Sequence, residues 1–179
     1  MSTGNLLTIE EFDALPIKEG VLYELTKGAV VTIPERFPRH NLARDNVARL
    51  IGRFVDERNL GHVFVGTGYQ LGPDTVRIPD VSFLPAERLQ EIDLDKRICG
   101  APALVVEVIS PTDLAEDLRQ KVEQYIAAGT HSVWVCFPKI RAVDVLRGDR
   151  SSFVRHENEL LEEPEVLPGF SLEVKTIFA

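Results

Sequence analysis

The stretch that most constrains this chain is Ala103–Ile109, ALVVEVI. It is almost wholly apolar and mostly β-branched, a pattern that predicts a strand covered on both faces. Such a strand needs a packing layer on each side, which argues for helices laid against a central sheet. Glu107 interrupts the run. A carboxylate in that setting costs several kcal/mol unless it is paired or binds a metal. Two readings follow: a buried ion pair with an arginine, or a metal ligand or acid/base group.

The rest of the chain supplies the layers. Thr8–Leu15 reads as a short helix opened by a capping box, Thr8 at the cap and Glu11 three residues on. Val21–Leu25 and Ala29–Ile33 read as strands joined by a turn at Thr26, Lys27 and Gly28. Leu42–Arg58 is a helix with a broad apolar face, dotted with Arg44, Arg49, Arg53 and Arg58 and ended by Asn59 and Gly61. Those arginines form either a solvated face or phosphate contacts. Strands are expected at His62–Val65, Tyr69–Leu71, Val76–Leu84, Ser132–Phe137, Ala142–Leu146 and Phe153–Arg155, with Leu167–Phe178 closing the fold. Asp113–Ala128 reads as a helix, with Ser110 at its N-cap, Pro111 in the first helical position and Gly129 at its C-terminal end. The fold class expected is α/β (α+β), a mixed central sheet flanked by helices.

At 179 residues the chain suits one domain, 1–179, with a substantial core. No apolar run reaches the roughly 18 residues of a membrane span. The start lacks a basic-then-apolar signal region, so a cytoplasmic location is expected. Cys99 and Cys136 form neither a CxxC pair nor a zinc spacing and are expected as reduced thiols. The net charge of −8 opposes tight nonspecific nucleic-acid binding, which rests on neutralising phosphates. An acidic metal site would itself contribute to that charge.

Asp80 follows Pro79 and heads the run Val81–Leu84. Alone, Pro-Asp is a turn; with Glu107 on a neighbouring strand, it makes a carboxylate pair suited to a hard cation. Lys121 falls in the helical sector of Leu114, Leu118 and Tyr125, so an inward-facing lysine needs an interior partner. The plainer alternatives are snorkelling or an i,i+4 pair with Asp117. Asp, Glu and Lys converging beside a metal make a phosphodiester-hydrolysing site, in which the lysine positions or deprotonates water and offsets transition-state charge. Glu24, in Tyr23-Glu24-Leu25, either joins the acidic cluster or alternates outward. His40 reads as a cap or surface group, and Gln70 as a possible substrate contact. No GxGxxG or P-loop is present.

In this order the motifs resemble those of the Uma-two family. They are Leu7-Thr8-Ile9-Glu10-Glu11-Phe12 with Leu15-Pro16, then Tyr23-Glu24-Leu25, Gly28 and His40. Next come Pro79-Asp80-Val81 with Phe83, Gly100-Ala101-Pro102, Leu104–Val108 and Ser110-Pro111. Asp117, Lys121, Tyr125, Gly129, Trp134 and Leu167-Pro168-Gly169-Phe170-Ser171-Leu172 complete the series. The resemblance implies a restriction-endonuclease-like core of the PD-(D/E)XK nuclease superfamily. It implies Asp80 as the motif aspartate, Glu107 as the second acid and Glu24 as an additional acid. The usual lysine position, two residues after the glutamate, is Ile109. The family's interpretation is a lysine migrated to the following helix, matched by Lys121. The metal set implied is Asp80, Glu107 and Val108, holding Mg2+ or Mn2+. Phe137 precedes Pro138 where the family commonly has an aspartate. The expected function is metal-dependent DNA cleavage, in a homodimer if both strands of a duplex are cut. The competing readings are a nonenzymatic partner-binding module on the same fold and an enzyme acting on another phosphate ester.

Overall fold

The computed structural model describes residues 6–16 and 18–179. Residues 1–5, on which the reading of the chain's start falls, lie outside them, as does residue 17. The chain begins with α1 (Ile9–Asp13), the hairpin β1 (Tyr23–Thr26) and β2 (Ala29–Thr32), and α2 (Pro38–Arg58). Then follow β3 (Gly61–Val65), β4 (Tyr69–Gly72), β5 (Thr75–Arg77), β6 (Val81–Pro85), the short α3 (Ala86–Leu89) and β7 (Ile98–Cys99). The remainder is β8 (Leu104–Val108), α4 (Ala115–Ala127), β9 (Ser132–Phe137), β10 (Ala142–Arg147), β11 (Ser152–His156), β12 (Leu160–Glu162) and β13 (Ser171–Glu173). Six strands form one sheet in the order β11-β10-β9-β8-β6-β3, and five a second in the order β2-β1-β5-β4-β7. In the larger sheet β8 and β9 run parallel and the other neighbours antiparallel. This is the expected mixed α/β architecture.

The period-two alternation of β8 divides its side chains between two helices. Leu104, Val106 and Val108 pack in one cluster with Ala43, Val47, Ile51 and Val55 of α2. Val105 packs in another with Val122 and Tyr125 of α4 and with Val133 and Val135 of β9. Glu107 shares the parity of Val105 and so faces α4. All five residues of β8 are buried, as its composition predicts. The α2 stripe recurs every three or four residues, the spacing of one helical face.

Local chemistry sets the boundaries. The capping box of α1 forms as expected: Glu11 N–H donates to Thr8 Oγ1 at 3.2 Å, and Thr8 N–H to Glu11 Oε2 at 2.9 Å. The β1–β2 turn narrows to Lys27-Gly28, both at positive φ, with Thr26 kept in the strand. Gly61 opens β3 rather than ending α2. A Cβ there would stand 2.1 Å from the Leu84 carbonyl, so only glycine lets β3 close on β6.

Three expectations are corrected. Val76–Leu84 is not one strand: β5 and β6 belong to different sheets, and Ile78-Pro79-Asp80 carries the chain between them. Pro79 has no N–H for a ladder and restricts Ile78, which breaks the run. The helix α2 starts at Pro38, in its first turn, which takes His40 inside. The helix α4 starts at Ala115 with Leu114 at the cap. Ser110–Asp113 instead closes a turn, in which Asp113 N–H donates to the Ser110 carbonyl at 3.1 Å and Ser110 N–H to Asp113 Oδ2 at 2.8 Å.

Cys99 is exposed and Cys136 buried, both free. Among the described residues no helix is long and apolar enough to cross a membrane.

Candidate active site

Three pieces of backbone bring the acidic residues together. Asp80 sits in the crossing between the sheets, at the head of β6. Glu107 lies on β8, next to β6 in the register Val81↔Val106. Glu24 comes from β1 of the other sheet, and Lys121 reaches in from α4. A cavity of about 330 Å³ opens over this junction, lined by Glu24, Arg36, Glu107, Val108, Asp117 and Lys121 among others.

Lys121 bridges two carboxylates, its Nζ 3.2 Å from Glu24 Oε1 and 3.8 Å from Glu107 Oε2. It makes no pair with Asp117 among the described residues. Burial opposes the charge on Lys121, but Glu107 and Glu24 outweigh it and raise its pKa. The amine therefore stays an ammonium at neutral pH. The inward stripe holds only in part: Tyr125 is fully buried and Leu118 half-buried, whereas Leu114 is exposed at the cavity mouth.

Glu107 is less fully paired than Glu24. Its Oε1 accepts from the Tyr125 hydroxyl at 2.9 Å. Burial pushes its pKa up to about 7; Lys121 and Tyr125 pull it down, while Asp80 and Glu24 add to the rise. Asp80 lies on the other side of the balance. Burial raises its pKa, but His40, the Val108 N–H and Arg36 together bring it below the ordinary value. His40 Nε2 stands 3.1 Å from Asp80 Oδ2, and Val108 N–H donates to the same oxygen at 2.8 Å.

Glu24 has no free oxygen. Its Oε1 accepts from Ile78 N–H at 2.9 Å and from Lys121, and its Oε2 from Arg77 at 2.7 Å. Arg77 is itself buried and also donates to Gln124 at 2.7 Å. Arg36 is tied to Asp113 at 2.8 Å on the same cavity wall.

The structure thus gathers Glu24, Glu107 and Lys121 on one cavity, and Asp80 stands behind its wall, joined to it through the Val108 N–H. It corrects the surface reading of His40, which is buried against Asp80. Gln70 does not line the cavity; its side chain faces Cys99 of β7. The α2 arginines follow the solvated-face reading: Arg44 pairs with Asp45, Arg53 and Arg58 with Glu57, and Arg49 donates to Asn46. Sequence reasoning missed Arg36, Arg77 and Tyr125. For Tyr125 the signal was available, since it stands one helical turn beyond Lys121 on the inward stripe.

The donor set can be tested against a divalent cation. Among the described residues no three His, Cys, Asp or Glu side chains form a metal-binding group. The Asp80 and Glu107 carboxylates are close enough to act on one another, and burial together with its acidic neighbours raises the Glu107 pKa despite Lys121. In a strand, the N–H and C=O of one residue leave on the same edge, so the Val108 carbonyl leaves β8 on the edge where its N–H meets Asp80. Two carboxylates, one carbonyl and solvent suit Mg2+, which binds few protein ligands and retains water. The residues fit such an ion.

Comparison with known proteins places the family and the fold. The family profile described as "Uma2: Putative restriction endonuclease" matches residues 9–175. The chain belongs to the Uma2 family. A crystal structure described as a putative nuclease belonging to DUF820, from Anabaena variabilis, superposes on this Uma2 chain with a TM-score of 0.85. It shares 21% sequence identity, and the alignment covers 96% of this chain and 97% of that one. At that identity the likeness establishes the fold. No protein of the curated set matches the sequence.

Proposed function

We propose that this Uma2 chain is a divalent-metal-dependent endonuclease that hydrolyses phosphodiester bonds of DNA with a PD-(D/E)XK-type site. The observation that carries the reading is Lys121 held between Glu24 and Glu107, at the mouth of a cavity that also contains the Val108 strand end. Asp80, Glu107 and the Val108 carbonyl would hold Mg2+ or Mn2+, which when bound polarises a phosphoryl oxygen and acidifies water. Lys121, kept charged by its two carboxylates, donates hydrogen bonds to the attacking water and offsets charge gathering on the phosphoryl oxygens. Its raised pKa argues against a role as the base. Glu24 positions Lys121, and His40 and Arg36 hold Asp80 in its charged form.

The test is cleavage of DNA by the purified protein with Mg2+ or Mn2+, and its loss on chelation. Lys121→Met is expected to slow cleavage by roughly 10²–10³-fold while Mn2+ binds no more weakly, since the variant removes a positive charge beside the ion. Intact cleavage in Lys121→Met, or no cleavage by the wild type with either metal, would sink the proposal.

Metal affinity also acquires a pH dependence. A ligating carboxylate must be deprotonated, and Glu107 loses its proton near 7 in the metal-free protein. Below about pH 7 the apparent Mn2+ affinity should fall tenfold per pH unit through this one group, and above it level off. The sign for stability is opposite. A carboxyl group whose folded pKa is raised stabilises the metal-free fold on the acid side, and that contribution is lost as pH rises from its ordinary 4.5 towards 7. Calorimetric titration across this window checks the first slope. An affinity independent of pH would show that no metal ligand titrates in this window, against the role given to Glu107 here.

A further inference from the structure

A second cavity, of about 540 Å³, lies beside the candidate active site. Its walls are apolar: Phe37, Ile109, Pro111, Phe137, Pro138 and Ile140. Phe37 and Ile140 are 53% and 69% exposed, so two large apolar groups stand open to water at its mouth. The cavity adjoins the site at two residues. Ile109 lines both cavities, and His40, whose ring is bonded to Asp80, stands in its wall.

The charge around this groove runs against that of the chain. The chain carries a net −8, yet no Asp or Glu lines the groove, and Arg39 and Lys139 both do. Both cations are exposed, and neither makes an ion pair among the described residues. In a two-fold dimer closed through this groove, Arg39 and Lys139 would face the same cations of the second copy; a polyanion with apolar faces would find both of its needs met. Intact duplex lacks that combination, because its bases are stacked inward and its outer surface is sugar and phosphate. An unpaired strand has it: each base offers a face to stack on aromatic and apolar groups, and each phosphate a charge.

We propose that this groove seats unstacked bases of a single-stranded nucleic acid next to the bond to be cut, with Arg39 and Lys139 on the flanking phosphates. The preferred substrate is then a single strand, or an unpaired segment of a longer nucleic acid, rather than uninterrupted duplex. Few hydrogen-bonding groups line the groove, so it accepts bases with little regard to sequence. This inference rests on the nuclease reading above, but binding alone can test it.

The probes are a fluorescein-labelled deoxyoligonucleotide, its ribose counterpart, and the deoxyoligonucleotide annealed to its complement, each titrated by anisotropy with Ca2+ present. One or both single strands should bind about tenfold or more tightly than the duplex. Phe37→Ala and Ile140→Ser, at exposed positions that do not endanger folding, should each weaken single-strand binding roughly tenfold and leave duplex binding unchanged. Arg39→Ala with Lys139→Ala should flatten the salt dependence of single-strand binding. Duplex binding equal to or tighter than single-strand binding overturns the inference, as does unchanged single-strand affinity in Phe37→Ala. So does a Phe37→Ala variant whose only change is dissociation of an oligomer, which would assign the groove to a second copy. Single-strand binding through the groove without any cleavage overturns the nuclease reading alone; cleavage of duplex with no preference for unpaired strands overturns the groove alone.

Discussion

Glu107→Gln is expected to abolish metal-dependent cleavage, by about three orders of magnitude or more, while leaving the protein folded. The glutamine keeps the volume of the side chain, and its carbonyl can still accept from the Tyr125 hydroxyl, now 2.9 Å from Oε1. What it removes is the negative charge. Burial disfavours that charge and pushes the Glu107 pKa up to about 7, with Lys121 offsetting only part of the rise. Lys121 retains Glu24 at 3.2 Å, so the substitution strands no cation. Thermal stability without metal should therefore be unchanged or slightly higher above neutral pH, and the stabilisation that Mn2+ confers on the wild type should disappear. Melting curves with and without Mn2+, run beside a cleavage assay, separate the two effects. Retained activity in a folded Glu107→Gln protein would remove this carboxylate from the chemistry.

Glu24→Ala should act on stability. It leaves the Arg77 guanidinium, 3% exposed, facing an empty space in the interior, and deprives Ile78 N–H of its acceptor. Breaking a buried pair from one side costs about 3–5 kcal/mol, a fall in Tm on the order of 10 °C for a chain of this size. A double variant, Glu24→Leu with Arg77→Met, should recover a large part of that loss, because no unpaired charge remains. It should not recover activity, since Lys121 would then have lost one of its two carboxylates. A loss below about 1 kcal/mol in Glu24→Ala would mean that water reaches the pair and that the site is far more open than its packing implies.

The parts of this fold legible in the sequence are those with a strong local signature. The apolar run of β8 announces a doubly covered strand, and the anomaly inside it marks Glu107. The capping box of α1 is written in two residues three apart. Lys121 is legible because a charge on an apolar helical stripe violates the pattern. What stayed hidden depends on partners far away in the chain. His40 offers no local sign that Asp80 will meet it, forty positions on. Arg77 stands in a run that reads as one strand, and only the split into two sheets brings it to Glu24. Pro79 was the available cue for that split, but a proline at a strand edge is equally compatible with one continuous strand. Ser110-Pro111 carries every local mark of a helix start. In the turn Asp113 accepts from the Ser110 N–H and also holds Arg36 on the cavity wall.

On the nuclease reading proposed above, Ile109 stands where a strand-borne lysine would otherwise stand, and it forms part of both cavities. An ammonium at that point would carry a tight shell of water onto the wall the two cavities share. Anything moving from one compartment to the other would have to strip that shell or skirt it. Isoleucine leaves a greasy sill instead. On that reading, supplying the cation from α4 would divide two duties that a single strand end would have to combine: charge would arrive from one side and the shared wall would stay apolar on the other. Each is then open to change by substitution without disturbing its neighbour.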